Sequence, residues 1–274
     1  MATRSTCASP RREAASGFIT PPASATYVSP TVTPHCCGSF VVDAGLLVAG
    51  AEGVVEAPSI VSLIEGDDTI LVDTGFGPVD RMAELHPSYE CHREPGQDVD
   101  AILCEEGYAP GDVDAVVLSH LDWDHCYALG PFDAAGVDVY VQREELAYAV
   151  APYPMHADRY EAKSLGREPP WLPVDLTPLR GETELCPGVT AFPTPGHTVG
   201  HQSVAVEESD GTTVVAVDAV QTFENVPDDG TPVPGLPMDD LAWWESAAEV
   251  LDRADRLLPG HEWDVLDAEP AGLV

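Results

Sequence analysis

The chain has 274 residues, of which 44% are apolar, and its 47 Asp and Glu against 12 Lys and Arg give a formal net charge of −35. This composition can bury a sizeable core and excludes a disordered acidic tail. The charge also argues against a nucleic-acid partner, because phosphate binding depends on Lys and Arg.

No run of about 18 consecutive apolar residues occurs, so we expect no membrane partner and no membrane span. Residues 1–20 are polar and lack the apolar core of a secretory signal, which predicts a cytoplasmic protein. The seven cysteines are irregularly spaced and contain no C-x-x-C pair, so a disulfide framework is not expected.

Residues 1–34 are rich in Ser, Thr, Ala and Pro and have no hydrophobic period, which predicts an extended or flexible N-terminal arm. The arm would suit a homodimer contact. Residues 35–274 are predicted to form one catalytic-size domain in which strands and helices interleave.

The first predicted elements are a β-hairpin, Ser59–Glu65 with Thr69–Val72, and an apolar strand, Val113–Leu118. Each leads directly into polar residues, Asp73 after the hairpin and the segment from His120 after the strand. Polar residues of the types that bind metals thus lie just past a buried strand.

The second half alternates in the same way. It contains a strand, a helix, an irregular proline-rich insertion and a hairpin: Val137–Val141, Arg143–Val150, residues 151–180, and Gln202–Glu207 with Thr212–Val217. An amphipathic helix over Asp240–Leu258 follows, with an apolar face made of Leu241, Trp244, Ala248, Leu251 and Leu258.

The pattern His120-x-Asp122-x-Asp124-His125 places four side chains that can bind metal within six residues. Three more stand at the ends of later elements: His197, Asp218 and His261. The alternative interpretation of the first pattern is a solvated acidic loop, which is natural in so acidic a chain.

This order of motifs, preceded by Asp73-Thr74-Gly75, resembles that of the metallo-β-lactamase superfamily over residues 38–265. The resemblance implies an α/β fold of the αββα four-layer sandwich type and two divalent metal ions. One ion would be held by His120, Asp122 and His197 and the other by Asp124, His125 and His261, while Asp218 would bridge them. Asp73 would orient a ligand without binding metal.

Asp122 departs from the family pattern, which has a histidine there. Zinc, the first expectation for both ions, accepts a carboxylate ligand, but an oxygen-rich site also suits iron or manganese. The alternative is that Asp122 abolishes the first site and leaves one metal or none.

Several sequence segments resemble those of the N-acyl homoserine lactonase group, among them Thr194-Pro195-Gly196-His197-Thr198 with the following Val199-Gly200-His201. The implied reaction opens a small ester or lactone by means of a hydroxide held between two metals, with Asp124 accepting a proton. That group has a tyrosine where this chain has Gln221, whose amide could still donate to an oxyanion. His201 is expected either to contact the site or the substrate, or to be a buried structural histidine.

Alternative activities within the superfamily are thioester or organophosphate hydrolysis. A metal- or ligand-binding sensor without turnover is a third alternative, because Asp122 and Gln221 both depart from the lactonase pattern. Five aromatic residues could line an acyl pocket or fill the core: Phe76, Tyr127, Tyr148, Tyr153 and Tyr160.

The charge of −35 generates a prediction about salt. Screening shortens the Debye length to about 3 Å near 1 M salt, so repulsion between surface carboxylates should weaken. We expect the thermal midpoint to rise by at least about 5 °C between 0.1 M and 2 M KCl, measured by circular dichroism. Such a rise would indicate a halophilic protein, adapted to a cytoplasm of high salt. A globular protein of near-zero net charge serves as control, and equal midpoints for this chain would contradict a halophilic origin.

Overall fold

The computed structural model describes residues 28–227 and 230–267. The strands in this part of the chain are β1 Thr31–Asp43, β2 Val54–Glu65, β3 Thr69–Val72, β4 Glu90–His92, β5 Ala115–Val117, β6 Asp138–Gln142, β7 Leu176–Leu179, β8 Thr183–Cys186, β9 Val189–Pro193, β10 Gln202–Glu208, β11 Gly211–Val217 and β12 Arg256–Pro259. The α-helices are α1 Ala44–Leu47, α2 Val79–Leu85, α3 Val99–Glu105, α4 Gly130–Ala135, α5 Arg143–Ala149 and α6 Asp240–Arg253.

The strands form two sheets. A seven-stranded sheet has the order β4-β1-β2-β3-β5-β6-β7, and a five-stranded sheet has the order β12-β11-β10-β9-β8. Strands β3, β5, β6 and β7 run parallel, as do β11 and β12. Parallel strands send their carboxyl ends to the same edge, so the loops that leave them can share a site.

Strand β5 shows how the layers pack, because neighbouring side chains point to opposite faces of a strand. Val117 packs between the sheets with Val204 and Val215, whereas Val116 packs on the outer face with Phe132 of α4. On the far side of the smaller sheet, one cluster joins strand residues to Val250 of α6. The order helix, sheet, sheet, helix confirms the predicted α/β four-layer sandwich.

Strand β1 starts within the predicted arm of residues 1–34. It pairs with β2 from Thr31 opposite Glu65, so residues 31–34 belong to the larger sheet. Residues 1–27 of the predicted arm lie outside the described residues.

The prediction of one helix over Asp240–Leu258 is wrong at its end and on its face. Helix α6 ends at Arg253, and Leu258 lies in β12, because the following apolar residues pair with β11 and complete the sheet. Leu241 and Trp244 are 69% and 43% exposed. The buried face consists of Trp243, Ser246, Ala247 and Val250.

The predicted irregular insertion, residues 151–180, contains a 3₁₀ turn at Lys163–Leu165 and ends in β7. Within the described ranges, no helix has the length and apolar character needed to cross a membrane.

Two residues at strand ends have a left-handed backbone. Asp73 after β3 has φ of 62°, and Val217 at the end of β11 has φ of 48°. Such values are uncommon for residues with a Cβ, above all for a β-branched valine, and they concentrate at functional sites. Val217 directly precedes the predicted ligand Asp218, and Asp73 is itself the residue predicted to orient a ligand.

Glu145 of α5 joins two of these loops. Its side chain is fully buried, and its Oε1 and Oε2 accept hydrogen bonds from the N–H groups of Leu121 and Gly200, at 3.1 Å and 2.9 Å. A Cβ on Gly200 would overlap the backbone of Glu145. One carboxylate therefore fixes the loop that carries His120 relative to the loop that carries His197.

This contact predicts that Glu145→Gln destabilises both loops. A glutamine side chain has one acceptor oxygen, so a buried backbone N–H is left without a partner at a cost of about 1–3 kcal/mol. We expect that loss in denaturant unfolding, together with at least a tenfold weaker metal affinity, since groups that support ligands affect binding on this scale.

The matched control is Glu144→Gln, because Glu144 is the neighbour on the same helix and its side chain is 54% exposed. It should change stability by less than about 0.5 kcal/mol. Equal effects of the two substitutions would contradict the role of Glu145.

Candidate metal centre

Asp73 orients two of the histidines that the sequence predicts as metal ligands. Its Oδ2 accepts from His125 Nδ1 at 2.9 Å and from the Ser119 hydroxyl at 2.7 Å. Because that hydroxyl has donated its proton, it accepts from His120 Nδ1 at 2.8 Å. Both imidazoles are therefore held through Nδ1 and leave Nε2 available to a ligand, the orientation that metal-binding histidines have.

His261 is oriented in the same way by the main chain. Its Nδ1 donates to the carbonyl oxygen of Pro58 at 2.8 Å, so its Nε2 also presents a lone pair to the cleft. The Nε2 atoms of His120 and His125 and the Oδ1 atom of Asp218 are buried without a hydrogen-bond partner. Buried polar atoms without partners are rare and indicate a ligand such as a metal ion.

The predicted ligands gather into two donor groups. His120, His197 and Asp218 form the first donor group, and Asp124, His125 and His261 form the second donor group. Within each group the ligand atoms lie within 4.8 Å of one another, and all six residues are buried. The sequence prediction gave Asp122 to the first ion and Asp218 to both, and Asp122 Oδ2 lies 3.5 Å from His120 Nε2 and 3.4 Å from His197 Nε2.

Asp218 faces both groups. Its Oδ2 lies 3.1 Å from His197 Nε2, and its Oδ1 lies 3.2 Å from His261 Nε2 and 3.5 Å from His125 Nε2. A Cβ on the neighbouring Gly260 would lie 2.6 Å from Asp218 Oδ1, so only glycine leaves room for this carboxylate. The position is the one that the sequence prediction gave to a bridging ligand.

His201 supports Asp218 rather than contacting the cleft. Its Nε2 accepts from the Asp218 N–H at 3.2 Å, its Nδ1 bonds the Thr194 hydroxyl at 2.8 Å, and its side chain is fully buried. Burial and the positive charge of nearby histidines hold the pKa of His201 well below its usual value. The neutral ring thus holds the backbone next to the strained Val217.

Asp122 is paired with Arg159, a residue of the proline-rich insertion. The Arg159 Nε and one terminal nitrogen lie 2.7 Å and 2.5 Å from Asp122 Oδ2. Burial alone would raise the pKa of Asp122, but the charges of Arg159 and His120 hold it well below its usual value. Asp122 is therefore an ionised carboxylate with a fixed counter-ion.

The same terminal nitrogen of Arg159 lies 2.6 Å from His197 Nε2. Burial and the guanidinium charge lower the pKa of His197 to about 4, so the ring is neutral at pH 7 and accepts this hydrogen bond. Arg159 consequently contacts the first donor group directly.

The second donor group fits a divalent metal ion, because it offers one carboxylate and two imidazoles whose Nδ1 atoms are bonded elsewhere. The first donor group offers His120 Nε2 without a partner, but its His197 lone pair already faces a guanidinium N–H.

A cavity of about 850 Å³ opens above the two groups. Tyr148 and Tyr153 line it, whereas Phe76 and Tyr160 are fully buried in the core. Tyr127 instead donates to the buried carboxylate of Glu161. Two of the five aromatic residues named from the sequence thus reach the cavity.

Gln221 also lines the cavity, and its Nε2 donates to Asp218 Oδ2 at 3.2 Å. The side chain is 7% exposed. Its amide can therefore reach both the donor groups and a molecule bound above them.

Sequence reasoning missed Ser119, Glu145 and Arg159. Ser119 directly precedes His120, so its position beside a ligand was a usable signal. Glu145 and Arg159 lie far along the chain from the loops they contact, and no spacing pattern marks them. The extra carboxylate of Asp122 was an indirect signal, because a buried charge requires a counter-charge.

Comparison with curated proteins finds lactonases among the relatives. The chain is 34% identical over 130 residues to the N-acyl homoserine lactonase AiiA of Bacillus thuringiensis subsp. kurstaki, which covers 47% of each chain. It is 31% identical over 166 residues to a probable metallo-hydrolase of Mycobacterium tuberculosis, covering 54% of this chain and 52% of that one. The chain spans about half the length of the curated relatives it matches.

Solved structures share the fold. A structure of N-acyl homoserine lactone hydrolase with the product N-hexanoyl-L-homoserine at its catalytic metal centre superimposes with a TM-score of 0.69 at 24% identity, covering 86% of this chain and 94% of that chain. The hydrolase AbOPH superimposes with a TM-score of 0.61 at 16% identity, covering 91% and 96%. The family model described as metallo-beta-lactamase superfamily matches residues 56–261. The chain therefore belongs to the metallo-β-lactamase superfamily.

Proposed function

We propose that this protein is a metal-dependent hydrolase that opens a small lactone of the N-acyl homoserine type. The observation that carries the proposal is the second donor group, Asp124, His125 and His261, of which Asp124 and His261 line the cavity. The similarity to lactonases supports the substrate class. Zinc is the first expectation for the ion, with iron and manganese as alternatives.

The cavity matches this substrate in size and character. At about 850 Å³ it can enclose a lactone ring with an acyl chain, since pockets for small molecules typically measure 300–1,000 Å³. Phe40, Leu47 and Met238 give it an apolar wall that suits the acyl chain. The donor groups at its floor are polar and suit the ring.

A divalent ion in the second donor group would supply activated water and polarise the ester carbonyl. Asp124 would also be placed to accept a proton from water at this group, because its Oδ2 lies 3.5 Å from His125 Nε2 and 3.8 Å from His261 Nε2 and its side chain faces the cavity. Gln221 can turn its amide N–H from Asp218 towards the oxygen that becomes negative when the carbonyl is attacked.

Metal removal tests the proposed activity. Chelation should reduce hydrolysis of N-hexanoyl-homoserine lactone to less than about one hundredth, and readdition of Zn²⁺ or Mn²⁺ should restore it. The measurement is product formation by liquid chromatography with mass spectrometry, on full-length protein in high salt. Thermal midpoints of the chelated sample show whether it stays folded.

A thioester and a phosphotriester assayed in parallel decide the substrate class. Faster turnover of either would replace the lactone in the proposal. Protein that contains metal and binds the lactone but releases no product over hours would indicate a sensor instead.

Gln221→Ala tests the amide donor. Loss of an oxyanion donor typically lowers kcat by 10²–10³, so we expect a fall of at least about tenfold with unchanged metal content. The main chain of residue 221, whose carbonyl oxygen accepts from the His261 N–H at 2.8 Å, is kept.

Gln221→Tyr is the matched comparison, because a phenol restores a donor at the same position. It should retain more activity than Gln221→Ala. If kcat is unchanged in the alanine variant, Gln221 has no part in the reaction.

A further inference from the structure

Arg159 is anchored to the metal centre by both its side chain and its main chain. Its guanidinium contacts Asp122 and His197, and its carbonyl oxygen accepts from the Trp123 N–H at 2.9 Å. Trp123 lies between Asp122 and Asp124 and stacks on His86 with ring centroids 4.4 Å apart. The side chain and the main chain of Arg159 are thus both held by the loop that carries Asp122 and Asp124.

This position places a permanent positive charge in the first donor group. Asp122 Oδ2, to which the guanidinium is hydrogen-bonded, lies 3.5 Å from His120 Nε2 and 3.4 Å from His197 Nε2. A cation bound between these histidines would compete with Arg159 for the lone pair of His197. It would also be repelled by a charge a few ångströms away in a buried site.

The second donor group differs in this respect. Among the described residues, Lys and Arg side chains form no ion pair or hydrogen bond with Asp124, His125 or His261, whereas Arg159 forms both with residues at the first group. The two groups therefore offer a metal ion unequal environments.

We propose that the Arg159 guanidinium takes the place of a metal ion in the first donor group, so that the protein binds one divalent ion, in the second donor group. The proposal rests on the metal dependence proposed above but concerns the number of ions. It assigns to Arg159 the role of a fixed cation facing the same cavity as Asp124 and Gln221.

Metal titration of the wild-type chain gives the first test. Chelated, full-length protein is titrated with Zn²⁺ by isothermal calorimetry, and bound metal is counted by elemental mass spectrometry after gel filtration. We expect one ion per chain. Two ions of similar affinity would overturn the proposal, and no bound ion would overturn the proposed metal dependence as well.

Arg159→Met gives the second test, because it removes the charge and keeps an unbranched side chain. We expect a second equivalent of Zn²⁺ to bind at least tenfold more tightly than to wild type, giving two ions per chain. One ion per chain in this variant would show that Arg159 does not exclude the second. If the variant fails to fold, the wild-type titration still decides the number of ions.

Two further variants separate charge from shape. Arg159→Lys keeps a cation beside Asp122 and should retain one ion per chain, and two ions would contradict an effect of charge. Arg143→Met is the control, because Arg143 is 52% exposed and pairs with Glu144. It should leave metal content at the wild-type value.

Discussion

The centre is organised by the need to balance buried negative charge. Asp122, Asp124 and Asp218 are all buried in a chain that already carries 35 excess negative charges. A buried carboxylate without a partner is costly, so each must face a positive group, a hydrogen-bond donor or a metal ion. Burial lowers the pKa of His125, yet Asp124 and Asp218 outweigh burial and raise it well above its usual value. The cluster therefore attracts positive charge strongly.

The fold holds the residues around these buried carboxylates at the ends of rigid strands. Asp73 and Val217 adopt strained backbone conformations, each of which costs of the order of 1–3 kcal/mol and persists only where the surroundings enforce it. The two-sheet core and the carboxylate of Glu145 provide that enforcement, because they fix the strand ends and connect two ligand loops. Strain and charge are thus concentrated at one edge of a well-packed sandwich.

Local patterns made much of this predictable from the sequence. The ligands could be named because His120 to His125 follow a buried strand directly, and the hairpin β10–β11 because two apolar runs flank a turn. Long-range contacts could not be read in this way. Arg159 lies in a segment without hydrophobic period, and its partner Asp122 is 37 residues away. The face of α6 was misassigned because β12 follows at once and continues the apolar pattern.

The Asp122–Arg159 pair has a further consequence for how the centre would work. Relative to a neutral histidine, Asp122 adds one negative charge and Arg159 adds one positive charge, so the pair leaves the net charge of the centre unchanged. A guanidinium donates hydrogen bonds and stays charged at all physiological pH values, but it cannot act as a Lewis acid towards water. The two donor groups would then have different tasks. Under the two proposals, activation of water would belong to the second group, and the first would contribute a permanent charge and N–H donors towards the substrate oxygen. Such a charge could not be lost to a chelator, whereas a metal ion in the second group could.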